Sequence, residues 1–280
     1  GLAESVQILI EAQADVNYKN SHTAPTALFL AALMGSCEKA EILLNAKADI
    51  HVMNTKFDSA VDLAEAKGHR DVVTLLLDAN AMPRERWEQM HEACTEGYTD
   101  EVKDLLDAGY PLHWDDKRGR EPLLLAATHG HNDIVQMLIA ARAEVNFGGH
   151  LRDIPLIAST RNGHVDVIKS LIAAQADVDA TQSSLDETAL HQAARYGHTR
   201  AAKVLIDAKA DVNHEAFAGT PLAYALTGGH LDTMRVLIEA QAAVDLGMPT
   251  PLMRAASAGF DAAVQMLLKA AEKHPANGKF

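Results

Sequence analysis

The sequence predicts an all-α repeat solenoid, built from stacked helix-turn-helix units with short β-hairpin fingers between them. Three observations in phase predict it. A glycine, followed in five of eight cases by histidine, recurs at Gly35, Gly68, Gly97, Gly130, Gly163, Gly197, Gly229 and Gly259, at intervals of 33, 29, 33, 33, 34, 32 and 30 residues. A second ladder reads ADVN at 14–17, ADIH at 48–51, AEVN at 143–146, ADVD at 176–179, ADVN at 210–213 and AAVD at 242–245. A third begins nine residues before the later glycines: EPLLLAA from Glu121, IPLIAST from Ile154, TALHQAA from Thr188, TPLAYAL from Thr220 and TPLMRAA from Thr250. A fixed period of this size marks one supersecondary unit copied along the chain.

Each element of the unit follows from its residues. Thr-Pro opens a first helix: the hydroxyl caps it, and the proline lacks an N–H that would be unpaired there anyway. Leu190, Ala193 and Ala194 share one face of that short helix, and the alanines let the next layer approach closely. Gly197 supplies the left-handed backbone that ends it. A second helix, predicted over 200–208, turns Val204, Leu205 and Ile206 inward. Ala210-Asp211-Val212-Asn213 then turns the chain into a finger. One unit cannot bury its apolar face alone, so neighbours must stack.

These ladders resemble the ankyrin repeat, whose pattern reads roughly T-P-L-H-x-A-A, two variable residues, G-H, an apolar helix and A-D-V-N. In order, the pattern gives a half repeat at 1–17 and full repeats at about 18–51, 52–82, 83–113, 114–146, 147–179, 180–213, 214–245 and 246–271, within a single domain spanning 1–280. Two intervals are short. The 29-residue step falls at Asn80-Ala-Met-Pro-Arg-Glu-Arg-Trp87, where Pro83 cannot donate to a hairpin, so a truncated finger and a bend near 80–90 are expected. The step before Gly259 likewise shortens the finger at Leu246-Gly247-Met248-Pro249.

Composition narrows the function. Apolar residues make up 48 %, but aromatics only 5 %, which suits thin, alanine-rich layers. The net charge of −13 disfavours nucleic acid and anionic lipid as partners, and no apolar run is long enough to span a membrane. Two unframed cysteines, Cys37 and Cys94, fit a reducing, intracellular (cytoplasmic) setting. The opening residues lack a signal-peptide pattern, and the start inside a repeat points to a fragment or processed chain.

Of the 14 histidines, His69, His131, His164, His198 and His230 occupy the Gly-His turn, His91 and His191 the T-P-L-H slot, and His51 and His113 the asparagine slot of ADVN. His22, His129, His150, His214 and His274 lack such a reason, but none has a partner at metal-ligand spacing. No nucleophile elbow, phosphate loop or H-E-x-x-H occurs. Cys94 reads as a buried small hydrophobe, Cys37 as following a turn with no activating base, and the acids Asp100, Glu101, Asp104 and Asp107 as a solvated helix face. No catalysis, cofactor or metal is expected.

The resemblance implies a protein-binding module, with partners held on the concave side by finger residues and by the two residues before each Gly-His. It implies a scaffold or adaptor arm, with a stand-alone inhibitor or effector, or the repeat part of a larger enzyme, as alternatives. It also implies that Asn17, Asn146 and Asn213 occupy a slot hydroxylated in some family members. On that face the candidate binding residues are Trp114, Lys117, Arg118, Arg120, His129, Arg152, Arg161, Arg195, Tyr196 and Phe217. Arginine and large aromatics are the residues most enriched at interface hot spots. The basic strip on an acidic chain points to a protein partner with an acidic surface, bound by a monomer.

Overall fold

The computed structural model describes the chain except residues 1, 19–24, 53, 55–57, 80, 82, 111, 113–120, 149–152, 183–184, 248–249 and 274–280. It divides into two compact units, one made of residues 1–92 and 100–111 and the other of 93–99 and 112–280.

The first unit begins with α1 (Leu2–Glu11) and continues with two helix pairs: α2 (Ala27–Leu33) with α3 (Cys37–Asn45), and α4 (Ala60–Ala66) with α5 (Arg70–Asp78). Small residues make the layers thin. Ala31, Ala32, Ala40, Ala60 and Ala64 pack with Leu28, Leu43, Val61, Val72 and Leu76 in one buried cluster, and Val6 and Ile10 of α1 lie against it. Ser59 starts α4 with a reciprocal cap: its hydroxyl accepts from the Asp62 N–H while the Asp62 carboxylate accepts from the Ser59 N–H. Cys37, expected just beyond a turn, packs half-buried against this cluster.

Where the sequence suggests a truncated finger, the described residues instead enter a helix, α6 (Arg84–Glu96). Asn80 and Met82 lie outside the described residues. Proline just ahead of a helix starts it without breaking it, because its ring fits the first turn. At 13 residues α6 is longer than the 7-residue α2 and α4, and it takes Trp87 into the buried set. Glu88 stands where the last three repeats have threonine, and His91 is used differently there: its Nδ1 bonds the Trp87 carbonyl at 2.9 Å, with the two rings 4.2 Å apart. The following helix, α7 (Thr99–Asp107), buries Val102 and Leu105 and leaves Asp100, Glu101, Asp104 and Asp107 at its surface, as its pattern predicts.

The second unit carries five pairs: α8 (Pro122–His129) with α9 (Asn132–Ala140), α10 (Pro155–Arg161) with α11 (Val165–Ala173), α12 (Ala189–Tyr196) with α13 (Thr199–Asp207), α14 (Pro221–Thr227) with α15 (Leu231–Glu239), and α16 (Pro251–Ser257) with α17 (Asp261–Lys273). First helices stack on first helices and second on second. Leu190, Ala193 and Ala194 are fully buried, whereas in α13 only Leu205 of the three expected residues is. Val204 and Ile206 flank the buried stripe and are half-buried. The fingers are tighter than hairpins: among the described residues the pairing amounts to isolated bridges, Gln182 to Glu187 and Ala216 to Gly219. Capping by the T-P-L-H threonine also varies. Thr250 accepts from the Met253 N–H at 3.3 Å, while the buried Thr220 hydroxyl has no hydrogen-bond partner among the described residues.

Two rows of hydrogen bonds tie one repeat to the next. Each Gly-His histidine reaches back with Nε2 to a carbonyl of the preceding first helix: His69 to Leu33, His131 to Thr95, His164 to Thr128, His198 to Arg161 and His230 to Arg195, at 2.9–3.2 Å. In the second row the ADVN side chain accepts from the next finger's backbone: Asn17 from Asp49, Asn146 from Asp177, Asp179 from Asp211 and Asn213 from Ala243. The asparagines of the hydroxylation slot are thus structural acceptors.

The histidine row also explains the glycines. Gly197 has φ +70, and a β-carbon there would lie 2.5 Å from the His230 ring; Gly229 has φ +72 but open space around it, because Phe260 replaces histidine in the next repeat. Both alanine substitutions meet the left-handed backbone penalty of about 1–2 kcal/mol. Gly197→Ala must also displace His230 and its bond to Arg195, adding about 1 kcal/mol or more. Urea titration of the two variants should therefore rank Gly197→Ala as clearly the more damaging, and equal losses would remove the histidine ring as the cause.

Candidate functional site

The face built from the first helices and finger turns carries those predicted site residues that the structure describes. Trp114, Lys117, Arg118, Arg120 and Arg152 lie outside the described residues. His129, at the end of α8, is exposed; its Nδ1 bonds the Leu125 carbonyl at 2.9 Å, and its ring stacks 6.3 Å from His131. Tyr196 holds the same slot at the end of α12, stacked 6.2 Å from His198 and 47 % exposed. Phe217, on the finger before α14, is 86 % exposed, and its N–H is bonded to the Leu185 carbonyl on the preceding finger at 3.0 Å.

Arg161 and Arg195 are held at both ends. Their carbonyls receive His198 and His230, which fixes the backbone. Their guanidinium groups bond to an acid eight residues upstream, just ahead of the same helix. Arg161 donates from Nη1 and Nη2 to the two Asp153 oxygens at 3.2 Å each, and from Nη2 to Gln182 Oε1 at 2.6 Å. Arg195 donates from Nη2 to Glu187 and lies 4.8 Å above the Tyr224 ring, a cation–π arrangement. Guanidinium and carboxylate match as planar forks, so the pairing fixes direction as well as charge. The ladders do not reveal these acid partners, although a signal is present: Asp153 and Glu187 both stand eight residues before an arginine, in consecutive repeats.

Glu187 organises a polar cluster on this face. Nearly buried, it accepts from Arg195, from the Tyr224 hydroxyl at 2.6 Å and from Gln192 Nε2 at 2.7 Å. Burial, and then the bond to Glu187, pushes the Tyr224 phenol up to about 12, so it stays a donor. His191 lies beside it, with ring centroids 4.9 Å apart. The Thr188 N–H donates to His191 Nδ1, which leaves Nε2 to donate to the Gly219 carbonyl at 3.2 Å. Burial lowers the His191 pKa to about 4, against the opposing pull of the Gly219 carbonyl and Glu187, so the ring is neutral. His214, for which the pattern offers no role, completes the cluster. Its ring meets His191 edge-on at 5.7 Å and its Nε2 lies 3.4 Å from Asp186.

Chemically, the arrangement presents oriented cations and exposed aromatic rings. Cys94 is buried, and that burial raises its thiol to about 12, which leaves it a poor nucleophile. Among the described residues no group of three His, Cys, Asp or Glu is placed to hold a metal ion, and no helix is long and apolar enough to cross a membrane. A family model described as ankyrin repeats in three copies matches residues 1–86, 60–149, 90–182, 149–216 and 190–277. Repeats of that kind are in general protein–protein interaction modules and typically non-catalytic.

Proposed function

The chain belongs to the ankyrin-repeat family, and we propose that it works as a scaffold or adaptor arm that holds a protein partner on the face of first helices and finger turns. One observation carries the reading: Arg161 and Arg195 are pinned by Asp153 and Glu187 beside the exposed Tyr196 and Phe217. Side chains already fixed in their bound geometry lose little freedom on association, and aromatic and arginine anchors dominate binding energy. His129 extends this face toward α8. Trp114, Lys117, Arg118, Arg120 and Arg152 extend it by sequence position and add the positive charge that an acidic partner surface would meet. The setting we propose for this is the cytoplasm, with the arm acting as a monomer.

The test uses a partner bound by the full chain. Phe217→Ala and Tyr196→Ala remove exposed rings, so each should leave stability within about 0.5 kcal/mol. Each should weaken partner binding by about 2 kcal/mol, the scale of an interface hot spot. Lys203→Ala, on the exposed side of α13, serves as the control and should leave affinity unchanged. A partner whose affinity is indifferent to both aromatic variants docks elsewhere, and the proposed face is then wrong.

A further inference from the structure

Asn162 caps α10, and Gly163 follows it in the left-handed turn with φ +75. No other turn glycine of the repeats is preceded by asparagine. Asn-Gly is the dipeptide most open to one spontaneous reaction, because glycine has no side chain to shield its nitrogen or restrain its backbone. Both residues nevertheless serve the fold. A β-carbon on Gly163 would stand 2.8 Å from the His198 ring. The Asn162 Nδ2 donates to the Thr128 carbonyl at 3.1 Å and to the Ala158 carbonyl at 3.0 Å. The first of these bonds ties α10 to α8, beside the His164 bond to the same carbonyl.

The fold places this dipeptide at an exposed turn but holds it out of reaction. Deamidation begins when the Gly163 nitrogen attacks Asn162 Cγ. The five-membered ring so formed needs that nitrogen nearly eclipsed with Cβ about the Cα–C bond. At the observed ψ of −1 it eclipses the Asn162 nitrogen instead. The Gly163 N–H is engaged by the Thr160 carbonyl at 3.1 Å, and the side-chain amide is held by its two carbonyls. Reaching the ring geometry breaks all three bonds, so the reaction requires the end of α10 to open.

We infer that Asn162 is a modification site gated by the opening of α10, where the chain's own backbone and water convert asparagine to aspartate or isoaspartate, whose products hold that turn less firmly. In the first step the bond from the Gly163 nitrogen to Cγ forms and the Cγ–Nδ2 bond breaks. Ammonia leaves with the proton from the Gly163 nitrogen. Water then cleaves the imide on one side of that nitrogen. Breaking its bond to Cγ gives aspartate; breaking its bond to the Asn162 carbonyl carbon leaves the chain running through Cγ as isoaspartate. Either product loses the amide that donated to two carbonyls. Each also adds a carboxylate at the C-terminal end of α10, where negative charge is unfavourable. One opening event thus leaves a lasting charge on the face that carries Arg161 and Tyr196, whether or not a partner docks there.

The test holds the full chain in mildly alkaline buffer, native and in guanidinium chloride, and follows the Asn162 peptide by mass. Asn277-Gly278, the other Asn-Gly of the sequence, shows in denaturant that the conditions drive the reaction. Asn162 should convert there too, and at least about tenfold more slowly in the native chain. Ile157→Ala removes a buried side chain of α10 without touching the Asn162 bonds, and should raise the native rate several-fold. If circular dichroism shows that this variant has not folded, Ile157→Val takes its place. Asn162→Asp should melt a few degrees below Asn162→Ala, since both lose the two bonds and only the first adds the charge. Native conversion as fast as in denaturant, or no conversion at Asn162 in denaturant while Asn277 converts, overturns the proposal. So does a native rate unmoved in the folded Ile157 variant, or an Asn162→Asp melting point no lower than that of Asn162→Ala.

Discussion

Leu190→Ala is expected to lower stability by about 2–5 kcal/mol, the range for a buried leucine whose neighbours relax only partly around the cavity. Leu190 is 0 % exposed and sits between layers, with Ala193 and Ala194 on its own helix. Those alanines have no long side chains with which to refill the space. Lys203→Ala, one element further on and exposed, should cost less than about 0.5 kcal/mol. Urea titration of both variants checks this directly. Because each repeat contacts its neighbours alone, the loss should appear as earlier unfolding of the repeats around α12. Hydrogen exchange would show increased opening of α12 and its flanking helices before that of α8 and α9.

Glu187→Ala should be nearly as damaging, at about 2–4 kcal/mol. Removing one partner of a buried ion pair costs more than the pair contributes, because the groups left behind lose their partner. Arg195 can regain water, since its side chain is 42 % exposed, which holds the figure below that of a fully buried pair. Tyr224 and Gln192 cannot, being almost buried, and each would lose its carboxylate acceptor. Glu187→Gln keeps the shape and one acceptor oxygen but removes the charge, and should cost only about 1–2 kcal/mol. Thermal or urea unfolding of the two variants should preserve that order. An alanine variant no worse than the glutamine variant would mean that the hydrogen bonds glutamine can keep contribute little, and that the charge carries the loss.

Much of the fold can be read in the chain because its chemistry is repeated at constant spacing. The histidine of each Gly-His turn makes one bond to one carbonyl, and the glycine of the repeat before leaves room for its ring, so both residues recur together. The alanines of the first helices recur because a larger residue would separate the layers. The features that escape such a reading depend on contacts outside that period. Glu187 lies two helical turns from Arg195 in sequence, and only the fold shows an acid ahead of the helix reaching the helix's last turn. His214 acquires its role from His191 in the neighbouring repeat and from Asp186. Pro83 is legible as a residue unfit for a hairpin, but its neighbours decide between a finger and a helix. Trp87, Met90 and Ala93 give α6 a buried stripe, and the helix wins. The face of arginines is legible as a set of charges, but the acids that orient them are not.

The two rows of hydrogen bonds have a consequence for how such a chain grows. Each repeat offers its predecessor a histidine ring and a finger N–H, and offers its successor a helix carbonyl and a side-chain oxygen. Donors and acceptors therefore leave a repeat in the same pattern in which they enter it. A duplicated stretch of gene covering one repeat inserts a protein segment whose two ends already fit the flanking segments, and a deletion of the same length rejoins equally well. Ser36, Tyr98 and Phe260 mark where that interchangeability has been given up. A repeat moved into the slot of Tyr98 or Phe260 would bring a ring that Gly68 or Gly229 has never had to accommodate.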